Sequence, residues 1–226
     1  MKALVKQNAI FIMLSLTLVV ALGLALLYIP KGELHLLLCD RHTPARDILY
    51  RYYTHVAEWF PYVVCVSLLL FGRLGDGLFA TSAMILSALT TQLFKHIVNA
   101  PRPVNWFAGC MPDVQLPLVD GVKMNMWFSF PSGHTTSFFA LAFVACILLN
   151  NERSPIANKK LQIALQILLV FLAALGGYSR IYLSQHFALD VFAGVLVGVL
   201  ITMLCWTVFN RLEDKKWYQY RLFSKK

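Results

Sequence analysis

A polar cluster opens a long apolar run in the stretch Phe128-Ser-Phe-Pro131-Ser132-Gly133-His134-Thr135-Thr136-Ser137. Proline presets the first turn of a helix and serine is a favoured cap, so we predict that a helix begins here. Glycine lets backbone N–H groups approach a ligand closely, and the helix dipole favours negative charge at this end. The stretch therefore predicts a phosphate-sized anion site beside His134. The alternative is an ordinary helix start, in which His134 is an interfacial histidine with its hydrogen bonds satisfied.

The composition of the chain points to a membrane. Its 226 residues are 58% hydrophobic and 14% charged, and the mean hydropathy is positive, which is not the balance of a soluble domain. The first apolar segment follows Lys2 and Lys6, but it is too long for a signal peptide and no Ala-x-Ala site closes it, so we interpret it as a retained anchor. The apolar segments lie near residues 8–29, 57–72, 77–94, 134–149, 161–178 and 187–209. We predict an all-α fold, a bundle of six transmembrane helices that forms a single domain over residues 1–226.

Basic residues predict the orientation of this bundle, because Lys and Arg in short loops favour the cytoplasmic side. With both termini cytoplasmic, twelve of the twenty Lys and Arg residues lie on that side against four of the eleven acids. The basic set is Lys2, Lys6, Arg73, Arg153, Lys159, Lys160, Arg211, Lys215, Lys216, Arg221, Lys225 and Lys226, and the acids are Asp76, Glu152, Glu213 and Asp214. This excess suits membrane lipids with anionic headgroups, and without any nucleic-acid motif we expect no nucleic-acid partner.

The five cysteines show no metal-ligand spacing such as Cys-x-x-Cys, so we predict no metal site. Cys39 and Cys110 fall in the two predicted outer loops, on the oxidising side. They are candidates for a disulfide that joins these loops, and two free thiols are the alternative.

The two outer loops differ in character. The first, about residues 30–56, has alternating charges that favour a short amphipathic interfacial helix, with Tyr50, Tyr52, Tyr53 and Trp59 as membrane-belt residues. We interpret its histidines, His35, His42 and His55, as solvated or interfacial. The second loop, about residues 104–130, carries apolar side chains suited to an adaptable lipid entrance. These are Trp106, Phe107, Met111, Met126, Trp127 and Phe128.

Ionisable residues near the outer ends of the spans form three clusters. The third span ends near Lys95 and Arg102, the fourth begins at His134, and Arg180, His186 and Asp190 flank the turn between the fifth and sixth. Six alternating spans bring all three clusters to one membrane surface, so we expect a site at the outer ends of helices 3–6. Two alternatives need no active site. Lys and Arg side chains at helix ends often extend to the membrane surface without a function, and a buried histidine–aspartate pair can serve only to hold two spans together.

These clusters carry a family resemblance. The segments Lys95-x6-Arg102-Pro103, Pro131-Ser-Gly-His134 and Ser179-Arg180-x5-His186-x3-Asp190 resemble the three signature motifs of the type 2 phosphatidic acid phosphatase family, at residues 95–103, 131–134 and 179–190. The resemblance implies a metal-independent, membrane-embedded lipid phosphate phosphatase without a cofactor. It also implies a site related to that of vanadium-dependent haloperoxidases, but those enzymes are soluble, and the hydrophobicity of this chain speaks against their activity.

The chemistry of phosphate esters assigns roles to the same residues. Cations and hydrogen-bond donors must neutralise the phosphate oxygens, and the candidates are Lys95, Arg102, Ser132, Gly133 and Arg180. His186 is our candidate nucleophile, because a helical i, i+4 spacing lets Asp190 hold one ring nitrogen protonated. His134 then serves as general acid and later as base, and the reverse order of the two histidines stays open. Ser179 fits the motif, but it also suits a turn beside Gly176-Gly177.

The predicted reaction is hydrolysis of a membrane lipid phosphate through a phosphohistidine. A phosphotransferase that uses the same histidine is an alternative, and an anion transporter is a weaker one, because the polar residues collect on one side of the bilayer. A site at headgroup depth favours a lipid substrate, in the order undecaprenyl pyrophosphate and lipid A phosphate, then phosphatidylglycerol phosphate and phosphatidic acid. We expect a multi-pass protein of a bacterial inner membrane whose site faces the periplasm.

Overall fold

The computed structural model describes residues 2–151 and 156–223, with side chains from residue 4 onward. Glu152, Arg153, Lys225 and Lys226, which we used to assign the orientation, lie outside the described residues, as does the side chain of Lys2. The described residues form helices and no β-strand, so the all-α prediction is confirmed. The helices are α1 Lys2–Gln7, α2 Ala9–Tyr28, α3 Lys31–Cys39, α4 Pro44–Tyr53, α5 Val56–Phe71, α6 Leu74–Val98, α7 Pro103–Cys110, α8 Gly133–Asn150, α9 Lys159–Tyr182, α10 Ala188–Phe209 and α11 Lys216–Gln219.

Within residues 2–151 and 156–223, six helical stretches are long and apolar enough to cross a membrane, as predicted. They are Ala9–Tyr28, Pro44–Phe71, Leu74–Cys110, Gly133–Asn150, Lys159–Tyr182 and Ala188–Leu212. The second and third are longer than the apolar segments predicted, because α4 continues almost directly into α5 and α7 follows α6 after a short break. Lys95 and Arg102 therefore flank the end of α6 within one continuous stretch.

Helix α8 is the centre of the bundle. In its apolar window 61% of the residues are buried, against 17–39% in the other five stretches, whose remaining side chains face outward. Phe143 of α8 stacks on Phe11 of α2 at 4.8 Å between ring centroids, and Phe138 stacks on Tyr53 at 5.3 Å. The polar stretch that opens α8 is thus surrounded by the other spans.

Glycines allow α10 and α9 to pack closely against α8. A Cβ on Gly194 would lie 2.8 Å from the carbonyl oxygen of Ser132, and one on Gly198 would lie 2.7 Å from that of Thr136. On α9, a Cβ at Gly176 would lie 2.3 Å from the ring of Phe138. Because real Cβ atoms do not approach other atoms so closely, these contacts fix the distance between the helices that carry the signature residues.

The first outer loop forms two helices, α3 and α4, rather than the one predicted. Thr43 caps α4 by accepting from the N–H of Arg46, and Pro44 occupies the first turn. The prediction for His35 is wrong, because its side chain is fully buried against the rings of Phe107 and Phe187. Burial lowers the pKa of His35 to about 4, so this imidazole is neutral, and its Nε2 lies 3.3 Å from the hydroxyl of Ser184.

Other residues of the outer loops also differ from the predictions. Tyr50 is buried against the rings of Tyr178 and Tyr182, whereas Tyr52 and Trp59 are exposed as expected of a membrane belt. Phe107 is buried and cannot line an entrance. Of the residues predicted to line the entrance, Met126, Trp127 and Phe128 are exposed.

Cys39 and Cys110 are free thiols, so the alternative of two free thiols applies and the candidate disulfide between the outer loops is not present. Cys39 is buried, and burial raises the pKa of its thiol to about 11, whereas Cys110 is exposed. The two loops are instead joined by packing. The side chains of Trp106 and Met111 lie against Gly32, where a Cβ would be 3.0 Å and 2.8 Å from them.

Candidate active site

The imidazole of His186 is held by a buried carboxylate. Its Nδ1 lies 3.4 Å from Asp190 Oδ2 and 3.5 Å from the hydroxyl of Ser129. The same Oδ2 accepts hydrogen bonds from the Ser129 hydroxyl and from the N–H of Phe187, the latter at 2.8 Å. Both His186 and Asp190 are buried. With Nδ1 protonated toward the carboxylate, Nε2 is the nitrogen left free to react.

The pairing does not arise from a shared helix face, as the spacing had suggested. Helix α10 begins at Ala188, so His186 lies in the turn before it. The N–H groups of Gln185 and His186 both donate to the carbonyl of Arg180, which folds the chain tightly after α9. Asp190 then turns back toward the helix start, where its carboxylate caps the N–H of Phe187. The side chain that caps α10 therefore also orients His186.

Positive charge surrounds His186. Burial together with the charges of Arg102, Arg180 and Lys95 holds the pKa of His186 well below its usual range. The imidazole is therefore neutral at physiological pH, which is the form that can attack an electrophile. The three cations outnumber the carboxylates of Asp190 and Glu58, and a phosphate anion would compensate the remaining positive charge.

Arg102 is fixed by backbone and amide oxygens. Its Nε donates to the carbonyl of Trp127 at 3.0 Å, and one terminal nitrogen donates to Gln185 Oε1 at 2.9 Å and to the Gln185 carbonyl at 3.3 Å. Its own N–H donates to the carbonyl of Met126. The guanidinium is thus oriented by the loop before α8 and by the turn after α9, with 7% of the residue exposed.

Arg180 has one hydrogen-bond donor that is paired and one that is not. One terminal nitrogen donates to the hydroxyl of Thr54 at 2.6 Å, which ties the end of α9 to the start of α5. Its Nε is buried and has no hydrogen-bond partner among the residues that the structure describes. A buried donor that remains unpaired is costly, and an anion bound beside Arg180 would satisfy it.

The start of α8 lies within this cationic group. Ser132 caps α8 as predicted, because its hydroxyl accepts a hydrogen bond from the N–H of Thr135 at 3.4 Å. The backbone N–H of Ser132 donates to the carbonyl of Asp190. A Cβ on Gly133 would lie 3.8 Å from Lys95 Nζ. The Lys95 ammonium therefore approaches the backbone of Gly133, where the dipole of α8 also favours an anion.

His134 has a carboxylate partner that we did not predict. Its Nε2 lies 3.0 Å from Glu58 Oε1, and the other oxygen of Glu58 lies 2.9 Å from Nδ1 of His55. Glu58, His55 and Thr54 belong to the second span, which carries no signature motif. A sequence offers no spacing signal for such a contact, because Glu58 and His134 are 76 positions apart.

Ser179 does not join this cluster. Its hydroxyl donates to the carbonyl of Gly176 at 2.6 Å, inside α9, which agrees with the interpretation that this serine shapes the local helix. The structure brings the other predicted residues to the same end of the bundle, at the end of α6, the start of α8, the end of α9 and the start of α10. They are Lys95, Arg102, Ser132, Gly133, His134, Arg180, His186 and Asp190.

Backbone strain accompanies the site. Asn99, Phe128 and Ser184 adopt positive φ values of 42°, 60° and 50°. Asn99 lies between Lys95 and Arg102, Phe128 precedes Ser129, and Ser184 lies between Arg180 and His186. A non-glycine residue in this region costs of the order of 1–3 kcal/mol, and such strain clusters at functional sites. No sequence pattern indicated that Phe128 or Ser184 would adopt this conformation.

A cavity of about 310 Å³ opens beside His134 and Arg180. Most of its lining residues are polar or charged, and residues 121–125 of the second outer loop form part of the wall. The lining residues are Arg51, Thr54, His55, Glu58, Gly121, Val122, Lys123, Asn125, His134, Arg180, Leu183 and Gln185. In residues 2–151 and 156–223 we find no group of three or more His, Cys, Asp or Glu side chains placed to hold a metal ion.

Fold and site together define a multi-pass membrane protein with a buried, cationic, histidine-containing cluster at one end of its helix bundle. Residues 76–214 match the family described as the PAP2 superfamily, which is more than half of the chain. The chain therefore belongs to the PAP2 superfamily, and the resemblance of its three motifs is confirmed.

Two relatives of the chain carry the names of lipid phosphatases. The chain is 32% identical over 146 residues to lipid phosphate phosphatase delta of Arabidopsis thaliana, a match that covers 62% of this chain and 33% of that protein. It is 28% identical over 172 residues to lipid A 1-phosphatase of Porphyromonas gingivalis, covering 76% and 34%. The chain thus spans about a third of the length of these two relatives.

Two solved structures share the architecture. Aquifex aeolicus LpxE has a TM-score of 0.58 and 27% identity, with 77% of this chain and 93% of that chain covered. A PAP2-type phosphatidylglycerolphosphate phosphatase from Bacillus subtilis has a TM-score of 0.60 and 19% identity, with 93% and 99% covered. At 19% identity the second similarity concerns the fold alone.

Proposed function

We propose that this protein is a lipid phosphate phosphatase that works through a phosphohistidine on His186, without a metal or another cofactor. The observation that carries the proposal is the setting of His186, a neutral imidazole fixed by Asp190 and surrounded by Lys95, Arg102 and Arg180. This arrangement presents a nucleophile at the point where a phosphate would be held. Membership of the PAP2 superfamily supports the same reaction class.

In the first step, His186 Nε2 attacks phosphorus, and the bond from phosphorus to the leaving oxygen breaks as the N–P bond forms. Asp190 stabilises the positive charge that develops on the ring. His134, in its protonated form, delivers a proton to the leaving oxygen. In the second step, neutral His134 takes a proton from water, the hydroxide attacks the phosphohistidine, and inorganic phosphate leaves while His186 is restored.

The cations stabilise the charge on the transferring phosphoryl group. Arg102 and Arg180 present planar guanidinium groups that suit two oxygens each, and Lys95 adds a point charge. Ser132 and the N–H of Gly133 complete the set at the start of α8. Because these groups supply the electrostatic role that a metal ion has in other phosphatases, we expect phosphate release to continue in a chelator and to be inhibited by vanadate.

The position of the site supports a lipid substrate. The candidate residues lie at or next to the ends of spans, the level at which we expect lipid headgroups, and Met126, Trp127 and Phe128 are exposed. The cavity beside His134 lies on the leaving-group side of the reaction. Arg51, Lys123 and Asn125 in its wall suit a polar or anionic leaving group, which supports a polyprenyl pyrophosphate or a lipid A phosphate ahead of phosphatidylglycerol phosphate or phosphatidic acid.

We further propose that residues 1–226 act as a single domain in a bacterial inner membrane, with both termini cytoplasmic and the site facing the periplasm. The excess of basic residues on one side supports this orientation.

The test is phosphate release by the purified protein in mixed micelles. We expect kcat/KM for the lipid phosphates to exceed that for water-soluble phosphate esters by about a hundredfold or more. The four lipids named above and a soluble ester are compared in the presence and absence of a chelator and of an added alcohol acceptor. Equal rates on lipid phosphates and soluble esters would contradict the lipid assignment. If the chelator abolishes activity and magnesium restores it, the metal-free mechanism is contradicted. If the phosphoryl group is transferred to the alcohol and no phosphate is released, the protein is a phosphotransferase.

A further inference from the structure

Glu58 lies outside residues 76–214 that match the family, yet it contacts a signature histidine. Its Oε1 is 3.0 Å from His134 Nε2, and its Oε2 is 2.9 Å from His55 Nδ1. Glu58 sits in the first turn of α5 and also lines the cavity beside the phosphate-binding residues. A carboxylate between two imidazoles at this place needs an explanation that the three motifs do not provide.

We propose that Glu58 is the positioning residue of His134, so that each histidine of the reaction has its own carboxylate, Asp190 for His186 and Glu58 for His134. The proposal rests on the function proposed above, in which His134 exchanges protons with the leaving group and with water. His55 in turn fixes Glu58, because its ring nitrogen contacts the oxygen that His134 does not use.

The contact determines which nitrogen of His134 does the chemistry. When Nε2 carries a proton and donates it to Glu58, Nδ1 is the nitrogen that gives a proton to the leaving oxygen and later takes one from water. In the first step the N–H bond at Nδ1 breaks as the leaving oxygen gains its proton, and in the second step water returns a proton to Nδ1. Glu58 keeps its negative charge throughout and stabilises the imidazolium form.

The charges around His134 show why such a partner is needed. Arg180 approaches from α9 and Lys95 from the end of α6. Each positive charge disfavours a protonated His134, and Glu58 is the carboxylate in contact that favours it. Without Glu58, a smaller fraction of His134 would hold the proton that the first step requires.

The contribution of Glu58 to folding is expected to be small. Its side chain is 51% exposed, and exposed ion pairs add little to stability. Glu58→Gln keeps the size of the side chain and an oxygen that can accept from Nε2, but it removes the charge. This variant should therefore fold normally and report on the chemistry of His134.

The test compares pH profiles of kcat for wild type, Glu58→Gln, Glu58→Ala and the matched control Glu33→Gln, an exposed carboxylate in the same outer region. We expect Glu58→Gln to lower kcat by about tenfold and Glu58→Ala by more, with KM changed by less than about twofold. Because the charge no longer favours the protonated acid, the alkaline limb of kcat should move to lower pH by roughly one unit. Glu33→Gln should match wild type.

Two results would overturn the inference. A Glu58→Gln variant with wild-type kcat and an unmoved pH profile would show that the contact has no role, and a lower kcat with an unmoved profile would show a purely structural one. Failure of the wild type itself to release phosphate from any lipid would instead count against the proposed function, so the two failures are distinguishable.

Discussion

At the scale of single residues, Asp190 both caps a helix and holds the imidazole of His186. Its Oδ2 accepts from the N–H of Phe187, which caps α10, and it also accepts from Ser129 and contacts His186 Nδ1. One oxygen therefore connects the start of a span, the loop before α8 and the proposed nucleophile. The orientation of His186 depends directly on how α10 begins.

This arrangement predicts that Asp190→Asn lowers catalysis but leaves folding intact. An amide oxygen in the place of Oδ2 can still cap α10, so the variant should insert into the membrane and show the same gel-filtration elution volume as wild type. The negative charge that stabilises the attacking imidazole is lost, so phosphate release should fall by about a hundredfold or more. Steady-state rates on a lipid phosphate measure this, with Asp113→Asn, an exposed acid of the second outer loop, as the control. A rate above half of wild type in Asp190→Asn would refute the role.

Some residues were predictable from the sequence and others were not. His186 and Asp190 stood out through their spacing, although the geometry that joins them is a helix cap and not a shared helix face. Glu58, Thr54, Ser129 and Gln185 were not predicted, because each contacts a signature residue that is 57 to 126 positions away or lies in a turn whose path only the fold defines. Long-range contacts of this kind leave no periodic signal.

At the scale of helices, the site depends on how closely α8 and α10 approach each other. Gly194 and Gly198 allow backbone contact along α10, and the N–H of Ser132 donates to the carbonyl of Asp190 at the end of this seam. Separation of the two helices would therefore move Ser132 away from His186.

A pair of glycine substitutions tests this dependence. Gly198→Ala would place a Cβ 2.7 Å from the carbonyl oxygen of Thr136, whereas a Cβ on Gly109 would have no atom within 4 Å. We expect Gly198→Ala to lower both the thermal stability in detergent and the activity, although alanine favours a helix by about 1 kcal/mol over glycine. Gly109→Ala should be neutral or slightly stabilising. Equal melting temperatures for the two variants would contradict the close approach.

The helices themselves were largely predictable, because apolar composition marks any segment that can cross a bilayer. All six spans appear within the described residues at their expected places. The first outer loop was less predictable, since α3 and α4 are short and carry mixed residues. His35 looked polar and exposed in the sequence, but the packing of Phe107 and Phe187 buries it.

At the scale of the whole molecule, alternating spans bring the ends of α6, α8, α9 and α10 to one side. Any odd number of spans between two motifs would have separated them, so topology alone accounts for the convergence of three distant motifs. The cavity beside His134 and the polar side chains in its wall could not be derived in this way, because they depend on how the second outer loop folds over the bundle.

The central claim is that His186 is the nucleophile of a phosphatase site, and one comparison tests it most directly. Release of inorganic phosphate from a lipid phosphate is measured for wild type, His186→Ala and His96→Ala, where His96 is an exposed histidine that contacts Phe128. We expect His186→Ala to lose activity by about a hundredfold or more, while His96→Ala stays close to wild type. A correctly inserted His186→Ala protein that releases phosphate at a near wild-type rate would contradict the account.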